Sequence, residues 1–420
     1  MVTLPVSMPS TAVRSSSTLE AWTGDLIASL PPATGPLAPL QEQARAALSE
    51  LPAPHRRQEN WRFTDPALLA ATSPRLLRPE QAAGTASAHL CLRLDGSADP
   101  LDGVALPAGL EPIAGAELHQ RLGAVLEATG CAHHWLTQLN QAAAQQVLAL
   151  RVSGVVASPL ELLLPAGASD GLLPLRVLLL LEDGAELELL QVHTASGASA
   201  TSLVLEAHLG RGARLRHGLL AQGHAQASLL AQCAYVQESG SDLSVVSGCA
   251  GWGLLRLEPR VNQRDGAAHT SLRGLQRVID RQIADTHSQV TFSGPDGQLE
   301  QVHKAVADGQ ARSVFNGAVR VPRQAQRTNA SQISRNLLLS DRARIDTKPE
   351  LGIVADDVRC AHGATVSRLQ QDELFYLQSR GIAADQAARL LQRAFCEEVL
   401  RELPAIAAAW RPIDRLLGEA

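Results

Sequence analysis

Cys360 and His362 stand two residues apart in DDVRCAHGATV, a stretch that turns abruptly into helix-forming sequence. On an extended segment residues i and i+2 point to the same face, so this thiol and imidazole can share one ligand. A thiolate and a neutral imidazole are good donors for iron or zinc, and a protonated histidine nearby would favour the thiolate. Two donors make half a site, because a closed structural metal site takes about four. Asp356 and Asp357 are close in sequence but do not complete the set. The same spacing suits a structural pair, a buried small thiol beside a hydrogen-bonded histidine. Taken alone, these residues leave both accounts open.

Other chemistry is harder to place. The chain has no GxxxxGK[ST] phosphate loop, no GxGxxG opening a βαβ unit, no HExxH and no GxSxG. Nucleotide hydrolysis by this chain alone is therefore not expected. Cys131, His133 and His134 cluster on paper but fall where a helix begins, so capping or solvent exposure accounts for them. His193, His208, His217, His224 and His269 recur through the middle of the chain and read mostly as surface or stacking residues. Asn329, Gln332 and Asn336 in QRTNASQISRN suit internal polar ladders. Only Lys304 and Lys348 are lysines among 37 basic residues, which reads as a preference for arginine.

The elements that must position these residues change character along the chain. Residues 1–145 read as a mostly helical domain broken by proline-rich loops, with a short strand or two between Leu90 and Leu110. From about Arg151 short β-rich runs are punctuated by turns. Gly184, Gly212, Gly240 and Gly266 recur at intervals of 28, 28 and 26 residues, and similar turns return at Gly297, Gly309 and Asp341. A period of that size without intervening helices predicts a parallel β-helix over 146–366. A β-sandwich is the competing fold, but its strands usually recur at about 8 to 12 residues. Residues 367–420 read as helical: a short helix ending at Gly381, a longer one capped by Asp385, and a last one broken near Pro412. The longer helix shows Ala387, Leu390, Leu391, Ala394 and Phe395 at helical spacing.

The balance of 37 basic against 42 acidic residues argues against a protein that binds nucleic acid by neutralising phosphates. Six scattered cysteines without CxxC read as reduced thiols. No apolar run approaches the roughly 20 residues that cross a bilayer. The Ser/Thr-rich, acid-poor start of MVTLPVSMPSTAVRSSSTLE weakly resembles a transit peptide, yet lacks an apolar core and a cleavage site. The expectation is a soluble cytoplasmic protein.

The stretch from VFNGAVRVPRQAQRTNASQISRN through DTKPELGIVADDVRCAHGATV to DELFYLQSRGI resembles the signature region of the SufB/SufD family of iron–sulfur cluster assembly proteins. DTKPEL followed by DDVRCAHGATV is similar to the SufD branch, and ENWRFTD near Trp61 is similar to a SufD N-terminal segment. The resemblance implies a right-handed parallel β-helix flanked by helical domains, and a non-catalytic scaffold pairing with a SufB-like paralogue. It also implies a SufC-like ATPase docked on 371–400, where Phe375, Tyr376, Gly381, Leu390 and Phe395 are the candidate contacts. Cys360 and His362 match the family's functional cysteine and histidine, so a transient cluster shared with SufB is implied, with no permanently bound cofactor. A flavin in the assembled complex and a homodimer of the chain alone are further expectations of the same kind.

Three positions depart from the family pattern: Gly352 replaces a glutamate, Ala361 a serine and Asn329 an aspartate. Two other readings compete. The SufB-type paralogue is disfavoured by Gly363, where a glutamate would be expected. A β-helix carbohydrate-active enzyme would need clustered acids and aromatic platforms, and aromatics make up only 3% of the chain.

Overall fold

The computed structural model describes residues 16–78, 89–96 and 99–419, so the N-terminal stretch with transit-peptide character lies outside the described residues. Its centre is a parallel β-solenoid of about eight turns. Two nine-stranded sheets face each other across the interior. One, here the C sheet, runs from Leu90–Arg93 and Leu160–Pro165 through Glu186–Thr194 and its successors to Asn329–Leu338 and finally Arg359–Ser367. The other, the N sheet, ends at Arg344–Ile353. Among the described residues every sheet pairing is parallel except that of Leu110–Pro112 on Leu148–Val152, which excludes the sandwich.

The period read from the glycines is the coil length. Glu186 pairs with Arg214 and Arg214 with Asp242, steps of 28 residues, and the step widens to 31 between Gln298 and Asn329. Gly184, Gly212, Gly240 and Gly266 all have positive φ, from 65° to 81°, a conformation costly for any side chain with a Cβ. Near Gly297 the left-handed residue is instead Asp296, at φ 61°. Gly297 is needed for space, since a Cβ there would lie 2.4 Å from the Phe292 ring.

The interior changes chemistry from one end to the other. Early coils stack Leu150, Leu162, Leu175, Leu189, Leu203 and Leu205, all buried. Later coils fill the same space with amides and hydroxyls. Gln263 donates to Thr270 at 2.8 Å, Gln301 to Ser288 at 2.7 Å and Gln332 to Gln301 at 2.8 Å. Gln332 and Asn336 thus form the expected internal ladders, whereas Asn329 is exposed. Of the five recurring histidines, His208, His224 and His269 stay partly exposed, but two differ from expectation. His193 and His217 are fully buried inside the solenoid, and so is His303. A side chain on an inward strand position is enclosed whatever its polarity.

Helices cover the outer face of each sheet. Ser16–Ser29, Ala38–Glu50 and Trp135–Ala143 bury Trp22, Leu26 and Leu139 against Leu172, Ala200 and Leu230 of the N sheet. The ENWRFTD segment lies across four successive strands of that sheet. Glu59 pairs with Lys348, the Trp61 ring stacks 4.0 Å from the Arg256 guanidinium, the Phe63 ring lies 5.2 Å from that of Arg312, and Thr64 donates to Asp285.

On the C sheet, Ala384–Leu400 and Pro412–Leu417 bury Cys396, Val399, Leu400 and Leu416 against Leu190, Val246 and Leu275. Ala383, not Asp385, occupies the N-cap position; Asp385 pairs with Arg389 one turn on. Gly218 and Gly248 let this layer approach: a Cβ on Gly218 would sit 2.7 Å from Pro404 Cδ. Pro404 cannot swing aside as a leucine would, so Gly218→Val is expected to cost about 1–3 kcal/mol, seen as a lower urea midpoint.

Candidate functional site

Cys360 pairs with Ala330 and His362 with Gln332 in the parallel ladder. Ala330 and Gln332 both point into the interior, so the cysteine and histidine point inward too, about 6.6 Å apart along the strand. They belong to the last strand of the C sheet, and across from them runs the last strand of the N sheet. Among the described residues no further coil covers either. Cys360 is half-buried, packed on the core, while His362 is exposed. The pair therefore stands at the mouth of the solenoid interior.

Burial pushes the Cys360 thiol up, with partial relief from the backbone hydrogen bond to Ala330. A thiol in this state keeps its proton at neutral pH until a metal ion displaces it. Among the described residues no group of three or more His, Cys, Asp or Glu side chains is placed to hold a metal ion. Asp356 and Asp357 are exposed, and Asp357 is held by backbone bonds to Gln326 and Arg327. What this chain offers is a two-donor half-site. The rim is apolar and open: Ile353 is 39%, Val354 61% and Val366 47% exposed. Both terminal strands also present a free backbone edge, the feature that templates pairing with another chain.

The family departures do not touch this face. Gly352, Ala361 and Asn329 all alternate to the outside of their strands. At Gly352 the Arg320 guanidinium takes the nearby space, within 2.7 Å of where a Cβ would be, and pairs with Glu350 at 3.7 Å.

The second group of candidates lies on the C-terminal helices. Gln371–Ser379 buries none of its residues, and Phe375 and Tyr376 are 71% and 58% exposed. Gly381, at φ 85°, turns the chain into Ala384–Leu400, where Leu390 is exposed as well. Phe375, Tyr376 and Leu390 are thus exposed apolar side chains on the two helices. Phe395 is placed differently: it packs toward the C sheet, with the Lys304 ammonium 4.3 Å from its ring. Sequence periodicity missed Lys304 and its partner Glu398, 2.6 Å apart, because a lone lysine in a strand carries no pattern. His133 is exposed and His134 lies 3.6 Å from Glu258, so neither joins Cys131 in a site.

Residues 165–395 match the family model described as SUF system FeS cluster assembly, SufBD core domain. The chain is 37% identical over 239 residues to an iron–sulfur cluster assembly SufBD family protein of Synechocystis, covering 54% of this chain and 53% of that one. It is 36% identical over 132 residues to SufD of Escherichia coli, 31% of each chain, and 43% identical over 117 residues to SufD of Bacillus subtilis, 28% of this chain and 27% of that one. The chain thus spans about half, or less, of the length of these curated relatives. With the solenoid and the inward cysteine and histidine on its last coil, the match over residues 165–395 makes this chain a member of the SufB/SufD family of iron–sulfur cluster assembly proteins.

Proposed function

We propose that this chain is the SufD-like scaffold subunit of such an assembly system, pairing with a SufB-like paralogue and carrying a SufC-like ATPase, without catalysing a reaction itself. The observation that carries the reading is the half-site at an uncovered end: two inward donors, apolar rim residues and two unpaired strand edges. A second solenoid abutting this end would cover the apolar rim and supply the missing donors. The nascent cluster is cargo in this scheme, held between subunits and released. The outer face of Phe375, Tyr376 and Leu390 is the surface assigned to the ATPase. Similarity to two bacterial SufD proteins supports the SufD branch over SufB. Among the described residues no helix is long and apolar enough to cross a membrane.

The test is co-expression under anaerobic conditions with SufB and SufC counterparts and purification through a tag on this chain. Recovery of all three proteins in one particle by native mass spectrometry is the expected result; recovery of this chain alone would refute the reading. Cys360→Ala and His362→Ala are expected to leave the melting temperature and the complex intact while lowering cluster yield. His362 is exposed and Cys360 lies at the open mouth of the interior, so neither change opens an enclosed cavity. Loss of folding in both variants would mean that the pair is structural.

A further inference from the structure

Lys304 is 1% exposed, yet it lies on the outward face of the C sheet, beneath Ala384–Leu400. Its ammonium donates to Glu398 Oε2 at 2.6 Å and to the Phe395 carbonyl at 2.9 Å. Arg335, one strand further along and in register with Lys304, holds the other oxygen of Glu398 at 3.3 Å. One helical carboxylate is thus gripped by two neighbouring coils. The next residue in that register is Thr365, on the strand that carries Cys360 and His362. Asn336, beside Arg335, donates to the Thr365 carbonyl at 3.0 Å, and Ser367 donates back to the Asn336 carbonyl at 3.4 Å.

An enclosed ammonium cannot be left without its carboxylate at low cost. The helix therefore cannot slide on the sheet without either breaking the pair or dragging the coils that hold it. The strand Asn329–Leu338 takes that drag through Arg335. Among the described residues it is also the single sheet neighbour of the terminal strand, which has no other ladder there to resist displacement.

We propose that Lys304 and Glu398 are positioning residues that tie the seat of the helix Ala384–Leu400 to the strand bearing Cys360 and His362. A load on the exposed outer face of the helices is then felt at the mouth of the solenoid. The inference rests on reading Cys360 as part of the assembly site, and it adds a means by which that site is set from the opposite side of the sheet.

The experiment uses the full chain and the double variant Lys304→Met/Glu398→Leu, which removes both charges at similar volume and leaves no buried ion unpaired. Alkylation by N-ethylmaleimide is followed at each cysteine by peptide mass spectrometry. Cys91 is the internal reference: it is half-buried and lies on the first strand of the same sheet, at the other end of the solenoid. The expected result is several-fold faster modification of Cys360 in the double variant, with Cys91 unchanged and the far-ultraviolet circular dichroism retained. Lys304→Arg, which keeps the pairing, is expected to modify at the parental rate. Equal Cys360 rates in the double variant and the parent would overturn the coupling, as would acceleration of both cysteines together. Normal cluster yield from Cys360→Ala would instead sink the assembly reading and leave the alkylation result standing.

Discussion

Lowering the pH from 7 to 5 is expected to remove about 6 kcal/mol of folding free energy, a large part of what holds a typical domain together. Three imidazoles carry the effect. Burial pushes His193, His217 and His303 from 6.5 down to about 3, with the neighbouring His217 adding to the shift at His193. No acid acts on His193 or His217, and at His303 the charge of Asp285 offsets only part of the burial effect. His217 is satisfied by the Tyr235 hydroxyl at 2.7 Å and Gln191 Oε1 at 2.9 Å, and His303 stacks on Phe315 with ring centres 4.4 Å apart.

As pH falls through about 6.5 the unfolded chain takes up these protons while the folded chain does not. The unfolded state then binds more protons, so stability is full above about 6.5 and is lost as pH falls toward the folded values. At pH 5 each histidine contributes about 2 kcal/mol of this loss. His269 works the other way, raised by its hydrogen bond to Asp242, and offsets a small part. Urea midpoints at pH 7, 6 and 5 measure the effect, and His303→Leu should flatten the profile by about one third. A midpoint that stays level between pH 7 and 5 would mean that the interior histidines are solvated and protonate in place.

The histidines also mark where the sequence was legible and where it was not. The solenoid could be read because its coil length is written in residues with a backbone requirement: Gly184, Gly212, Gly240 and Gly266 sit at left-handed turns. Which side chains face inward could not be read with the same ease. In a sheet covered on both faces, leucines line both the interior, as at Leu189, and the helix interface, as at Leu190. Alternation then carries no contrast, and His193 cannot be told from an outward residue. The stripe on Ala384–Leu400 shifted for a related reason, since Leu390 faces out while Cys396 and Val399 face in. At the site, the i, i+2 spacing of Cys360 and His362 correctly placed both on one face. That this face opens at the last coil depends on where the solenoid stops, which no local pattern records.

Asp285→Ala is expected to cost about 3–5 kcal/mol, the range for removing one partner from a buried ion pair. Arg256 is 1% exposed and donates to Asp285 at 2.6 Å and to Glu258 at 2.8 Å, while the Trp61 ring covers its guanidinium. Without Asp285 the arginine keeps one carboxylate, and Thr64 loses its acceptor. Burial alone would raise both carboxyls, but Arg256 acting with His287 and Thr64 holds Asp285 below the usual carboxylate range, and Arg256 acting with Arg260 and His134 holds Glu258 well below it. Their contribution is full above the unfolded values near 4 and is lost only below them, so it is separable from the histidine loss.

Urea unfolding followed by tryptophan fluorescence is the measurement, since Trp61 and Trp135 lie at this junction. Arg256→Met/Asp285→Leu is expected to recover most of the loss, because Glu258 keeps Arg260 at 2.9 Å and no ion is left stranded. If the double variant were as unstable as Asp285→Ala, packing rather than charge would hold the N-terminal segment. The distinction matters at the far end of the solenoid. The segment that carries Trp61 also carries Glu59, and Glu59 grips Lys348 on the last strand of the N sheet. A network that seats ENWRFTD on the middle coils therefore also steadies one lip of the opening that Cys360 and His362 face.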